Sequence, residues 1–227
     1  MLATRAEATV YASSVPNRAV PADAVMNLPA DWRAFPPLEL DDILAVALRH
    51  FARRGYHATT VRAIAKDVGV TIPALYYYYD SKQHMLVALL NLAMDIVEAK
   101  VTASVEDAGD DVVAQLVNLT EALALYMANY RELAFLDTEI RSLEGENRQV
   151  YAERRDRTEK TLRSVVEAGV ASGAFTTDAD PKMVSRFILN AVQGIAVWFR
   201  MDGPESPESV AEKYSRLALA VVGANRE

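Results

Sequence analysis

The sequence predicts an all-α protein, with a small N-terminal helix-turn-helix domain followed by a larger helical domain, and three observations predict it. Apolar residues recur at spacings of three and four along the chain, the period of one helix face. No segment alternates apolar and polar residues for long enough to make a strand. The stripes are punctuated by capping residues in front and glycines behind, as in "GYHATT", "DVGVT" and "YDSK".

At 227 residues and 51% hydrophobic, the chain can bury a sizeable core. Cysteine is absent, which removes disulfides, thiolate metal sites and thiol nucleophiles and fits a reducing compartment. Apolar runs such as "LALAVVGA" fall far short of the roughly 18 residues of a membrane span. The first residues, "MLATRAEATVYASSVPNRAVP", lack the apolar core of a signal peptide. The expectation is a soluble, cytoplasmic protein with no membrane partner.

The net charge of −7 argues against nucleic acid until it is resolved by region. Residues 43–82 carry six basic residues (Arg49, Arg53, Arg54, Arg62, Lys66, Lys82) against Asp67 and Asp80. A basic module of charge +4 is thus fused to a remainder of −11, the electrostatic footprint of a local polyanion site.

In chain order, residues 1–37 hold five prolines and no hydrophobic period, so they are expected to form an extended arm. Met26 is an alternative start, and Trp32 and Phe35 are the arm's candidates for docking on the body. Residues 38–82 then form the small domain. Leu40, Ile43, Leu44, Ala47, Leu48 and Phe51 make one stripe of a helix that Gly55 ends. Thr59 and Thr60 are natural N-caps for a short second helix burying Val61, Ile64, Ala65 and Val68, and Gly69 supplies its left-handed stop. Thr71 caps a third helix over 71–79, with Pro73 in the first turn and a Val70–Leu75 staple. Two short helices joined by "DVGV" make a helix-turn-helix.

Asp80 or Ser81 caps a fourth helix to about residue 102, long enough at about 30 Å to tie the small domain to the large one, residues 83–227. Further helices are expected at 111–130, 131–143, 146–172, 181–201 and 207–223, broken at "DAGDD", "LEGEN", "SGAFTTDADP" and "MDGPESP".

Four adjacent tyrosines in "LYYYYDSK" cannot share one helix face, because successive side chains are about 100° apart. With Leu75 inward, Tyr79 falls in the core, Tyr78 on the flank, and Tyr76 and Tyr77 point out. An outward phenol can donate to a phosphate and position a protein on DNA. Base edges would meet the first turn, Thr71, Ile72, Pro73 and Ala74, whose mostly apolar contacts suit thymine methyls.

The run "ILAVALRHFARRGYHATTVRAIAKDVGVTIPALYYYYDSKQHML" resembles the DNA-binding domain of the TetR family of transcriptional regulators. It shares the helix ending in F-x-x-x-G-Y, then T-T, I-A, G-V, L-Y and S-K in order. The resemblance implies phosphate contacts at Thr60, Tyr76, Tyr77 and Lys82, and base contacts along Thr71 to Ala74. Tyr78 stands where histidine is common, and Tyr79 where phenylalanine is usual. The added phenol of Tyr79 needs a partner or an exit to solvent.

Beyond residue 100 the family would place ligand and dimer functions. Tyr126, Tyr130, Phe135, Phe187, Trp198 and Phe199 are candidate pocket aromatics. Ile195, Tyr214, Leu217 and Val221 are candidates for a two-fold four-helix interface, since the last helices carry apolar residues on more than one face. The segments "FLDTEIRSLEGENRQVYAERRDRTEKTLRSVVEAGVASGAF" and "AVQGIAVWFRMDGPESPESVAEKY" resemble the C-terminal half of actinobacterial TetR-like regulators of lipid, steroid and aromatic-acid catabolism. Several of those answer to acyl-CoA thioesters. That resemblance implies a small hydrophobic or acyl-CoA effector, with Arg141, Arg148 or Arg154 holding phosphates.

The sequence as a whole is expected to be a homodimeric, ligand-responsive repressor of a catabolic or efflux operon, binding double-stranded operator DNA. Catalytic residues, cofactor and metal are not expected: His50, His57 and His84 are scattered, and "ERRDRTEK" reads as a solvated helix face. A rival from another class is an all-α enzyme or carrier with a basic recruitment module. A third reading is a DNA binder without a ligand, distinguished only by lacking a pocket.

Overall fold

The computed structural model describes residues 31–224. Among them the protein is all-helical and has no strand. Three short helices, α1 (Asp42–Arg54), α2 (Val61–Val68) and α3 (Ile72–Tyr78), are followed by the long α4 (Lys82–Ala108). The remainder comprises α5 (Val112–Asn129), α6 (Arg131–Phe135), a 3-10 segment (Leu136–Ser142), α7 (Gly145–Ser172), α8 (Pro181–Gln193), α9 (Ile195–Trp198) and α10 (Pro207–Val222).

The caps are those that the residue types require. Side-chain oxygens of Asp41, Thr60, Thr71, Ser81 and Asp111 each accept a backbone N–H from the first turn of their helix. Gly69 ends α2 at φ 83° in the left-handed region. Thr59 takes another role: it is buried, and its hydroxyl donates to the carbonyls of His50 and Gly55.

Two expected helices are split and one is longer. The helix expected at 131–143 becomes α6 plus the 3-10 segment, and that at 181–201 breaks at Gly194 into α8 and α9. Helix α4 runs to Ala108 because Val101 and Ser104 remain buried, the Ser104 hydroxyl donating back to Val101.

Helix α5 is the centre of the larger domain. Residues 122–128 are all buried, as no one-sided helix could be, and its most extensive neighbours are α10 and α4. Helix α7 packs on α8, α5 and α4, while α1 packs on α2, α6 and α4.

In residues 31–37 the arm's docking candidates Trp32 and Phe35 both pack on the body. Trp32 is only 2% exposed, its indole donates to Asp107, and the Arg33 guanidinium lies 3.6 Å from the Trp32 ring centre. The buried Lys100 ammonium donates to the carbonyls of Asp31 and Ala34 at 3.0 and 2.8 Å, and the Tyr130 hydroxyl donates to Pro36 O. Phe35 meets the Tyr130 ring edge-on. The rest of the arm, Met26 included, lies outside the described residues.

The basic run of α7 is also corrected. Arg154 is not on a solvated face but bonds Asp95 and Glu98 of α4, and Arg157 joins it on Glu98. Burial opposes the Glu98 charge, yet the bonds and charges of Arg154 and Arg157 outweigh it and hold the carboxyl below its usual range. A carboxyl depressed in the folded state adds stability above the unfolded pKa of about 4.3, which is lost as pH falls through the folded value. The urea midpoint of the wild-type protein should therefore fall more steeply between about pH 5 and pH 3 than that of Glu98→Gln, a comparison that equilibrium unfolding followed by circular dichroism will make.

Candidate nucleic-acid interface and ligand cavity

The first site is built on α3. Leu75 is fully buried and Tyr79 nearly so, which fixes the helix from behind. Tyr79 arrives in the core differently from the helical-wheel expectation: the helix ends at Tyr78, and Tyr79 is extended at φ −135°, ψ 111°. Its phenol finds the partner it needs in Asp41 of the α1 cap, at 2.5 Å. Burial, with the Asp41 bond and charge, pushes the Tyr79 hydroxyl pKa far up, so it stays a donor.

In front, Thr71 and Pro73 are exposed, and Ile72 and Ala74 half-buried. Tyr76, Tyr77 and Tyr78 are all exposed, Tyr77 at 70%. Tyr78 is therefore outward rather than on the flank, and it meets Tyr77 edge-on at 5.3 Å. Thr60 is exposed at the start of α2, its oxygen accepting Ala63 N while its O–H stays available. Arg49, Arg53, Arg54, Arg62 and Lys66 are exposed and make no ion pair among the described residues. His50 is buried and pairs with Asp67 at 2.7 Å, fastening α1 to α2.

Lys82 has a different setting from the free phosphate-binding cation expected. Its ammonium donates to the carbonyls of Tyr56 and Thr59 at 2.7 and 2.8 Å and lies 4.0 Å from the Tyr56 ring centre. Desolvation lowers its pKa, opposed by the charge of Glu139. Glu139, in the 3-10 segment, reaches the same loop: its carboxylate accepts Tyr56 N at 2.9 Å and the Ser142 hydroxyl at 2.8 Å. Gly55 permits this approach, since a Cβ there would stand 3.2 Å from the Glu139 oxygen on a backbone at φ +79°.

The second site is a half-open cavity of about 250 Å³ between α4, α5, α7 and α8, with α6 and the 3-10 segment also contributing to its lining. Met94, Val97, Leu123, Met127, Leu133 and Val192 form its apolar walls. Asp156, Arg186 and Asn190, all exposed, mark its mouth. Inside, Asp137 accepts the Tyr151 hydroxyl at 2.9 Å and pairs with Arg155 at 3.2 Å. Burial and the neighbouring Asp137 charge push the phenols of both Tyr126 and Tyr151 far above their usual range, so both are neutral.

Of the aromatics and arginines expected around a pocket, only Tyr126 lines this one. Tyr130 and Phe135 sit beyond it, Tyr130 holding Pro36. Phe199 is buried elsewhere, while Phe187 and Trp198 are exposed on the outer face, Trp198 stacking on Tyr214. Arg141 and Arg148 are exposed and off the cavity, and Arg154 is committed to α4. Arg155, Arg186 and Tyr151 went unnoticed as lining residues because a helix period gives a face but not the partner across it. Ile195 is 0% exposed inside its own subunit, so it is a core residue and not an interface one.

Taken together, a helix-turn-helix with an exposed recognition turn, set on an enclosed helical domain, defines a DNA-binding transcriptional regulator. Residues 43–89 match the tetR family of bacterial regulatory proteins, and residues 109–222 match the tetracyclin repressor-like C-terminal domain. The chain belongs to the TetR family. It is 29% identical over 195 residues to the HTH-type transcriptional repressor KstR2 of Mycobacterium tuberculosis, spanning 82% of this chain and 92% of the relative. The structure of that ketosteroid transcriptional regulator superposes with a TM-score of 0.76 at 26% identity, over 83% of this chain and 98% of the other. The TetR family regulator PfmR from Thermus thermophilus is 32% identical with a TM-score of 0.69, over 82% of this chain and all 100% of that one. AibR, solved with isovaleryl coenzyme A and operator DNA, is 25% identical with a TM-score of 0.71, over 81% and 97% of the two chains.

Because Lys82 holds two loop carbonyls, Lys82→Ala should lower stability by about 1–3 kcal/mol, the range for leaving buried polar groups unpaired. Urea unfolding will read this, and the variant should also weaken binding to all DNA sequences alike, through the displaced Thr60 loop.

Proposed function

We propose that the protein is a homodimeric repressor of a catabolic or efflux operon, which binds a palindromic operator through α3 of each subunit and leaves it when an acyl-CoA effector binds. The observation that carries the DNA half is the orientation of α3: Leu75 and Tyr79 anchor it, with Ile72 partly packed on the core, while Thr71, Pro73, Tyr76 and Tyr77 are exposed. In this reading Thr71, Ile72, Pro73 and Ala74 meet base edges. Thr60, Tyr76 and Tyr77 donate to phosphates, and the exposed arginines of α1 and α2 add charge. Lys82 serves as a positioning residue that holds the Thr60 loop.

Dimerisation is supported by an uncovered apolar face. Phe187 and Leu217 are 59% and 61% exposed, and with Tyr214 and Val221 they line one groove between α8 and α10. Val197, Trp198 and Met201 extend the exposed apolar surface. A two-fold copy of these helices would bury both faces against each other.

The effector reading draws on the cavity and on the AibR complex with isovaleryl coenzyme A. At about 250 Å³ the cavity lies just below the about 300 Å³ at which small-molecule pockets begin. It therefore takes an acyl group and leaves the nucleotide outside, where Arg186 replaces Arg148 as the available cation at the mouth. Coupling to DNA follows α4, whose cavity residues Ala93, Met94 and Val97 share a rigid helix with Lys82. The 3-10 segment, with Asp137 on the cavity and Glu139 on the Tyr56 loop, adds a second connection.

Three experiments test this reading. Leu217→Asp should give a folded monomer in light scattering with much weakened operator affinity, whereas Ile195→Asp should unfold the subunit, since a charge buried without a partner is destabilising by several kcal/mol, roughly 3–5. An operator selected from random DNA should be palindromic, with half-sites about 34–36 Å apart or a multiple of that. Isovaleryl-CoA or octanoyl-CoA should release it in gel retardation. Release by free hydrophobic compounds but by no thioester would remove the CoA part and leave the repressor.

A further inference from the structure

The cavity is apolar on most of its wall, but its inner end holds more hydrogen-bonding capacity than a hydrocarbon can use. Tyr126 is only 2% exposed, lines the cavity, and its hydroxyl makes no hydrogen bond among the described residues. Its neighbour Tyr151 is already committed to Asp137, and Asp137 is further engaged by Arg155. Thr158, on the same lining, also keeps a buried hydroxyl oxygen without a partner. Buried polar groups in proteins are almost always paired. The Thr158 oxygen is closed off from the cavity space, so the Tyr126 hydroxyl on the cavity wall is the observation about what the cavity accepts.

The geometry points to an effector whose buried portion carries a neutral oxygen acceptor, a keto or similar carbonyl group, received by the Tyr126 O–H. This rests on the effector reading above and deepens it. A neutral acceptor fits better than a carboxylate for an electrostatic reason. The inner end already contains the Asp137 carboxylate, whose one nearby cation, Arg155, is paired with it. A second anion beside Tyr126 would be repelled by the Asp137 carboxylate, which lines the same cavity. A plain hydrocarbon would enter but leave the Tyr126 O–H unpaired, and sites built to bond an oxygen discriminate against ligands that lack it. The polarity of the bound molecule follows: carbonyl inward at Tyr126, anionic end outward at Arg186.

The test uses matched probes with and without the oxygen, and with and without CoA. Binding of 7-oxooctanoyl-CoA and octanoyl-CoA, and separately of cyclooctanone and cyclooctane, is measured by calorimetry or competition on the full-length protein. The wild type should prefer the ketone of each pair by roughly tenfold, the size of one net hydrogen bond. Tyr126→Phe, which removes one oxygen atom and keeps the ring, should bring the ratio near one without weakening the hydrocarbon probe. Thr158→Val serves as a second variant, and it should narrow the preference less than Tyr126→Phe. If neither thioester binds while cyclooctanone still outcompetes cyclooctane in a Tyr126-dependent way, the CoA reading fails and this one stands. Equal affinity within both pairs, an unchanged preference in Tyr126→Phe, or binding of neither ketone would overturn it.

Discussion

A helix that is apolar on nearly every side has to be covered on every side, and α5 is that helix. Its residues 122–128 are buried without a break, so α4, α7, α8 and α10 must all pack against it. Buried apolar area at about 25 cal/mol per Å² is the main favourable contribution to such a core, and several of the polar groups within it are paired. Thr120 bonds back to Leu116 O, and Ser215 of α10 reaches Glu121. The cavity exists because α7 and α8 approach α5 at the Tyr126 level without filling it.

The same packing makes the two functional regions neighbours. Helix α4 is shared between them, and the 3-10 segment lies between cavity and DNA-binding domain, with carboxylates two residues apart serving different sites. Asp137 holds Tyr151 and Arg155, while Glu139 holds Tyr56 and Ser142. A 3-10 segment has poorer hydrogen-bond geometry than an α-helix and is suited to small rearrangements. The cavity wall at one end of it and the Tyr56 loop at the other therefore share one short segment.

Charge is segregated in a way that fits this division. Arg49, Arg53, Arg54, Arg62 and Lys66 stand exposed on α1 and α2 without an ion pair among the described residues, and the ion pairs of Arg154 and Arg157 with α4 offset part of the basic run of α7. An overall charge of −7 thus coexists with a locally basic face, and steering by charge acts through the local field.

Much of this was legible in the sequence, because the rules involved are local. Helix periods, the caps at Thr60, Thr71 and Ser81, the glycine stops and the exposure of Tyr76 and Tyr77 depend on residues within a few positions of one another. Tertiary structure decided what lies opposite each face. It put Trp32 and Phe35 on the body, turned Lys82 toward carbonyls, drew Arg154 to α4, placed Ile195 inside and Phe187 outside, and chose Arg155, Tyr151 and Arg186 for the cavity. A stripe tells a helix which side is apolar. Whether that side meets its own core, a cavity or an uncovered surface is set by partners far away along the chain, and spacing within a single helix carries no information about them.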